Sequence, residues 1–480
     1  MNKLIKNYIY NVLYQIFLVI VPLITAPYLT RVLSVSSLGV YDYINSIISV
    51  ITTFGMIGLH SYGYREIAYV RNDKEKVSEV FTQIFILRII LLVLISIFYL
   101  PFSFFSNNRI YFLIQYALII SQFIDVSWVF IGFEELGIVS FRNFIAKLLT
   151  VFGIFIFVKS DEDLWIYFAI FAFVTLFTVI SIFPLLKKYV SFSNIKIKGT
   201  FLHIMPSIKL FIPQVATVLY LQFDKIMLKN ITHSSAQVAY YSYAEKIINI
   251  PLAIILALGT VMMPRFANLY SNGNDKEIQK YITKTIKFAM FLAIPMMFGL
   301  SSISLKMIPW YLGKKYMLSA YAIIIISPIC IINALTNIFG SQYLTAINCT
   351  KELTISYYGA AVANVILNAL LIPHFDFFGA ALATVICSFI SLLIQIYYVK
   401  KNLNFDGIFI NIMKNIISSI IMTFIIIVIS SHMEISPVST FIEVAVGIIT
   451  YLTFNFILKE EMFEYSLMFV KQIIKRGDKK

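Results

Sequence analysis

Stretches of about twenty apolar residues follow one another along this chain almost without pause, and this spacing constrains the fold more than any other feature. A bilayer core of roughly 30 Å is crossed by about 20 residues of helix. Lipid offers no partner to backbone N–H and C=O groups, so such segments cross as helices that bond internally. The sequence therefore predicts an all-α integral membrane protein with about 14 transmembrane helices. The expected spans are 10–31, 37–59, 80–101, 110–132, 142–159, 164–186, 206–229, 236–263, 284–308, 317–345, 354–373, 378–399, 409–430 and 438–458.

Composition agrees. The chain is 60% hydrophobic and 13% charged, against about 25% charged in soluble domains. A net charge of +14 would suggest nucleic acid in a soluble protein. In a membrane chain it reads as loop charge that faces anionic lipid and sets topology. Three cysteines (Cys330, Cys349, Cys387) sit in or beside apolar runs and fit no metal spacing. His60, His203, His233, His374 and His432 are scattered, so neither a metal nor a cofactor is expected. No G-x-x-x-x-G-K-[ST], G-x-S-x-G or H-E-x-x-H motif occurs, which argues against an ATP motor or an enzyme. Asp161, Glu162 and Asp163 form an acidic triplet that reads as a solvated outer loop.

With the amino terminus inside, about three-quarters of the Lys and Arg fall in alternate segments, as cytoplasmic loops require. Both termini are then cytoplasmic. The opening run after Lys3 and Lys6 is too long for a signal-peptide core and lacks a good cleavage site, so it reads as a retained span. The longest polar breaks are 187–205 and 264–283. The tail 459–480 alternates apolar and basic residues like a surface-lying helix. An internal echo aligns Tyr41, Tyr43, Ile47, Ile48 and Arg65 with Tyr241, Tyr243, Ile247, Ile248 and Arg265 in one gap-free frame. It implies two parallel repeats, an architecture in which transporters place substrate between the halves.

Charge within a span costs at least about 2.5–3.5 kcal/mol, so it faces water, a partner or substrate. Arg31, Arg88, Lys225 and Lys246 are the candidate cations, with Arg65 and Arg265 as gates or anchors at inner span ends. Asp42, Asp125, Asp224 and Glu245 are the candidate ion-coupling carboxylates. Arg88 has no carboxylate within a turn, so its partner must come from another helix or from substrate. Asp224/Lys225 and Glu245/Lys246 also read as simple ion pairs. The cationic balance favours an anion such as phosphate. Tyr41, Tyr43, Tyr241 and Tyr243, with Tyr240, could face sugars or serve as interfacial belt residues.

Specific strings resemble a known family. Pro22-Leu23-Ile24-Thr25-Ala26-Pro27-Tyr28-Leu29-Thr30-Arg31, Tyr62-Gly63-Tyr64-Arg65-Glu66, Trp128-Val129-Phe130-Ile131-Gly132-Phe133-Glu134-Glu135, Phe223-Asp224-Lys225 and Asn364-Val365-Ile366-Leu367-Asn368 are similar to bacterial oligosaccharide flippases of polysaccharide biosynthesis. That family belongs to the exporter superfamily of multidrug and lipid-linked precursor transporters. The resemblance implies a six-helix lobe over 1–186, a linker over 187–205, a second lobe over 206–400, two further helices over 401–458 and a basic tail over 459–480. It also implies alternating access and a polyprenyl-diphosphate-linked oligosaccharide substrate, moved to the outer leaflet of a bacterial plasma membrane. Membrane lipids, a polymerase and other polysaccharide-assembly proteins are the expected partners. The competing readings are a multidrug exporter, which would want a carboxylate-rich cleft, and a membrane polymerase or glycosyltransferase, which would want a large outer loop.

Overall fold

The computed structural model describes residues 3–191, 197–405 and 407–468. Lys196 of the expected linker, and the expected tail helix beyond Met468, lie outside them. The helices are α1 Lys3–Val32, α2 Val35–Met56, α3 Leu59–Val70, α4 Lys74–Phe105, α5 Arg109–Ile124, α6 Ser127–Gly132, α7 Leu136–Phe157 and α8 Leu164–Ile180. They continue as α9 Ile204–Thr232, α10 Ser235–Ser271, α11 Asp275–Tyr311, α12 Met317–Ile326, α13 Ile329–Thr336, α14 Thr350–Val399, α15 Ile408–Ser431 and α16 Pro437–Ile457.

Among the described residues ten helical segments are long and apolar enough to cross a membrane, and up to twelve if each bent helix pair is one crossing. The protein is a multi-pass membrane protein. Within α14, Asp376 leaves helical geometry (φ 50°, ψ −132°), and this break falls between the expected spans 354–373 and 378–399.

The residues form two compact units. One is Met1–Lys229 with Ser234–Ala236; the other is Asn230–His233 with Gln237–Lys480. By its contacts α9 groups mainly with the first unit. The expected assignment of 206–229 to the second repeat concerns ancestry of the sequence echo, which contacts do not address.

Local chemistry explains where the helices start. Asp73 accepts from the Glu75 and Lys76 N–H groups (3.1 and 3.2 Å) and caps α4, satisfying donors that have no intrahelical partner. These bonds, led by that from Lys76, hold its carboxyl below the ordinary aspartate range. Ser34 and Ser436 cap α2 and α16 in the same way, through the N–H groups of Ser37 (3.1 Å) and Ser439 (3.0 Å). Two carboxylates of the acidic triplet, those of Asp161 and Asp163, tie down loop backbone. Asp161 accepts from the Ser34 N–H at 2.6 Å, and Asp163 from those of Lys159 and Ser160, each at 2.9 Å.

The two longest polar breaks are structured in part. The polar break at 264–283 is largely helical, because α10 runs to Ser271 and α11 begins at Asp275, with Gly273 at positive φ (66°) turning the chain. Each of these helices has 37 residues, or about 55 Å at 1.5 Å per residue. They outrun the bilayer core, and the hydropathy pattern ends where the lipid does. The described parts of the expected linker are held by side-chain hydrogen bonds. His203 Nδ1 meets the Tyr62 hydroxyl and His203 Nε2 meets Gln83 Oε1, both at 2.8 Å. Gln83 donates to the Lys198 carbonyl, and the Ser191 N–H to Ser78 Oγ, again at 2.8 Å.

Two breaks interrupt the helices of the first unit. The second expected span, 37–59, ends at a 44° bend between α2 and α3, where Ile57 and Gly58 take positive φ (41° and 78°). The fourth is interrupted at Asp125–Val126 between α5 and α6. The short halves α3 and α6 pack tightly. A Cβ on Gly63 would stand 2.7 Å from the Trp128 ring, and one on Gly132 would stand 2.6 Å from Ile67. Their apolar faces join Phe81, Ile84 and Leu87 of α4 in one buried core.

Candidate functional site

Beside these two breaks the first unit buries charge. Arg88 of α4 is 0% exposed. Its Nη2 donates to the Gln122 carbonyl at 2.5 Å, one of the last carbonyls of α5, which have no acceptor role within their own helix. Its Nε and Nη1 have no hydrogen-bond partner among the described residues. Asp125, just past the end of α5, accepts from the Ser127 N–H at 3.2 Å and from the Ser127 hydroxyl, and so starts α6. Arg142 of α7 donates to Asp125 from Nη1 at 2.8 Å, while its Nε (3.1 Å) and Nη2 (2.9 Å) reach Asn143 Oδ1. The Asp125 and Arg142 side chains keep 15% and 12% of their surface. His60, the second residue of α3, feels the charges of Arg88, Asp125 and Arg142. Arg88 and Asp125, singled out separately in the sequence, thus lie in one niche, where Arg88 bonds a backbone carbonyl of another helix rather than a carboxylate. His60 and Arg142 were missed as site residues. The available signal was Asp125-x-Ser127, a capping pair inside an apolar run.

The other candidates lie elsewhere. Arg31 is exposed in the last turn of α1 and donates to the Pro27 carbonyl at 2.5 Å. Lys225 is half-buried on α9 beside buried Asp224. On α10, Glu245 is half-buried and Lys246 is exposed, with its Nζ 4.3 Å from the Tyr243 ring centroid. Asp42 is buried on α2. Arg31, Asp42, Asp224, Lys225, Glu245 and Lys246 all make further specific contacts. Arg65 pairs with Glu66 at 3.6 Å and lies over Tyr62, and exposed Arg265 lies over Tyr281 with its Nη2 3.2 Å from the hydroxyl. Arg88 does not line an open cleft in this structure, since it has no exposed surface.

The tyrosines pack. Tyr41 is buried, 4.2 Å from the Tyr167 ring centroid and 5.0 Å from that of Phe168. Tyr43 is half-buried. Tyr241 is buried with its hydroxyl 2.9 Å from Thr384 Oγ1, and buried Tyr243 lies 5.1 Å from Tyr316. Half-buried Tyr240 sits 5.5 Å from Phe377.

In the second unit an apolar groove of about 400 Å³ runs between α10, α11, α15 and α16, lined by Pro251, Phe291, Met296, Met422 and Tyr451 among others. Close by in sequence is a further missed residue. Glu443 of α16 is 0% exposed, and neither carboxylate oxygen has a hydrogen-bond partner among the described residues. Its signal was a lone acid in Phe441-Ile442-Glu443-Val444.

Comparison with known proteins decides the family. The polysaccharide biosynthesis protein family matches residues 4–270. The chain belongs to this family. The lipid II flippase MurJ of Bacillus subtilis (strain 168) is 27% identical over 167 residues, covering 34% of this chain and 30% of that protein. An Escherichia coli (strain K12) protein named for O-antigen transport is 21% identical over 406 residues, covering 83% of this chain and 97% of its own length. Among solved structures, the lipid II flippase MurJ in its inward closed conformation superposes with a TM-score of 0.74 at 18% identity, over 95% of this chain and 99% of that one. The chain therefore shares the fold of that flippase structure, and several of its sequence relatives are named as flippases or transporters.

Proposed function

We propose that this protein moves a polyprenyl-diphosphate-linked oligosaccharide from the cytoplasmic to the outer leaflet of a bacterial plasma membrane by alternating access, for assembly of a surface polysaccharide. The observation that carries this reading is the near-complete alignment with the protein named for O-antigen transport, on an all-helical membrane fold. The chain makes fourteen crossings with both termini inside: two parallel six-helix repeats, 1–186 and 206–400 joined by 187–205, and two more helices within 401–458. A sugar headgroup cannot enter hydrocarbon, because each unpaired polar group costs several kcal/mol. A wet cationic cleft removes that barrier. Arg31, Lys225 and Lys246 receive the diphosphate, and Arg88, enclosed within the first unit, is left out of this set. Arg65 and Arg265 anchor the inner ends of matching spans. The apolar groove offers part of the isoprenoid chain a surface as apolar as lipid. A polymerase takes the product outside.

Transport of this kind needs no ATP. Moving two negative charges outward gains about 4.6 kcal/mol at 100 mV, inside negative. The purified protein in sealed vesicles, given a fluorescent lipid-linked saccharide, is expected to expose headgroups far faster than protein-free vesicles, and faster still under an imposed potential. Flipping no faster than in empty vesicles would remove the function. Dependence on a cation gradient without response to voltage would instead assign coupling to Asp42, Asp125, Asp224 or Glu245.

A further inference from the structure

Arg88 poses a problem of charge rather than of hydrogen bonding alone. A guanidinium does not lose its proton in proteins, so this side chain is a permanent cation with no exposed surface. Asp125 is the group among the described residues whose charge acts on it. Asp125 is already committed to Arg142 at 2.8 Å and to Ser127. The niche thus holds two cations and one carboxylate. Helix ends do not settle the balance. Each break sets a helix C-terminus, worth about half a negative charge, beside a following N-terminus of opposite sign, so the two contributions largely cancel. A water molecule could accept from Nε or Nη1 but would leave the charge in place. An uncompensated buried ion costs several kcal/mol.

We propose that the niche formed by Arg88, Asp125 and Arg142 binds one small inorganic anion of halide size, held by the free N–H groups of Arg88. Size follows from enclosure: a phosphate esterified to lipid or sugar has no surface of Arg88 to reach, whereas a lone halide needs only the space of one water. The anion brings the buried charge to zero and fixes the α5–α6 break, on which Arg88 pulls through the Gln122 carbonyl. This site is separate from the substrate cations and does not rest on the flippase reading, since binding is read without substrate.

The full-length protein in nanodiscs should bind radiolabelled chloride saturably, at one site per chain, with bromide competing and gluconate not. Thermal unfolding should shift upward in chloride relative to gluconate at equal ionic strength. Arg88→Lys, which keeps charge but offers fewer donors, should weaken chloride by at least about tenfold. Arg142→Gln leaves one cation and one carboxylate, and should abolish saturable binding in a folded protein even if Arg88→Met fails to fold. The absence of saturable chloride binding in the wild type, or binding unchanged in Arg142→Gln, would overturn the proposal.

Discussion

The two units bury polarity in different currencies. The first encloses charge, with Arg88, Asp125 and Arg142 meeting beside two broken helices. The second, apart from the buried acids Glu443 and Glu460, has a seam of neutral groups: Tyr241 meets Thr384 at 2.9 Å, Asn368 donates to Asn364 Oδ1 at 3.1 Å, and Asn364 reaches Cys387 Sγ at 3.6 Å. Amides and hydroxyls can each give and accept, so a neutral seam closes upon itself with modest net energy. A buried ion pair depends on both members, because deleting one strands the other in low dielectric. Mutations of similar size should therefore have unequal effects in the two regions.

Asp125→Asn should show the largest effect. It leaves buried Arg88 and largely enclosed Arg142 without a carboxylate, and a loss of about 3–5 kcal/mol is expected, read by thermal unfolding in detergent. A loss near zero would mean that the niche is well hydrated and the contrast between the units is false. Next comes Gly63→Leu. The side chain would enter space filled by Trp128, separate α3 from α6 and cost about 1–3 kcal/mol; an unchanged unfolding temperature would show that the half-helices are loosely held. Tyr241→Phe removes one neutral hydrogen bond while keeping the ring, so about 1 kcal/mol is expected. A cost as large as that of Asp125→Asn would erase the proposed distinction.

The smallest effect concerns a second ion pair. Lys287 and Glu461 approach to 2.6 Å, but the glutamate side chain is 51% exposed. The hydrogen bond from Lys287 holds the Glu461 carboxyl below its ordinary value of 4.5. Its contribution to stability is thus present above that value and is lost as pH falls through the lower folded value. Lys287→Gln should change stability by less than about 1 kcal/mol at neutral pH and flatten the acid limb of the unfolding profile. A change comparable to that of Asp125→Asn would place this pair among the buried ones.

The order of apolar runs was enough to specify a helical membrane protein, because lipid leaves the backbone no other partner and the run length is set by bilayer thickness. The strings around Arg31, Arg65, Trp128 and Asp224 were enough to point to the family. Hydropathy could not reveal the ends of α10 and α11, since a helix that leaves the bilayer no longer needs apolar residues. Nor could it show the break at Asp125, because apolar composition continues through it; the bend at Gly58, by contrast, falls at the expected end of the second span. The meeting of Arg88 with the end of α5, through the carbonyl of Gln122, 34 residues along the chain, and the isolation of Glu443 belong to tertiary structure alone. Membrane insertion responds to each segment's own transfer energy, which is local in sequence. The partner of a buried charge depends on which helices cross at its depth, and that is decided only when the bundle packs.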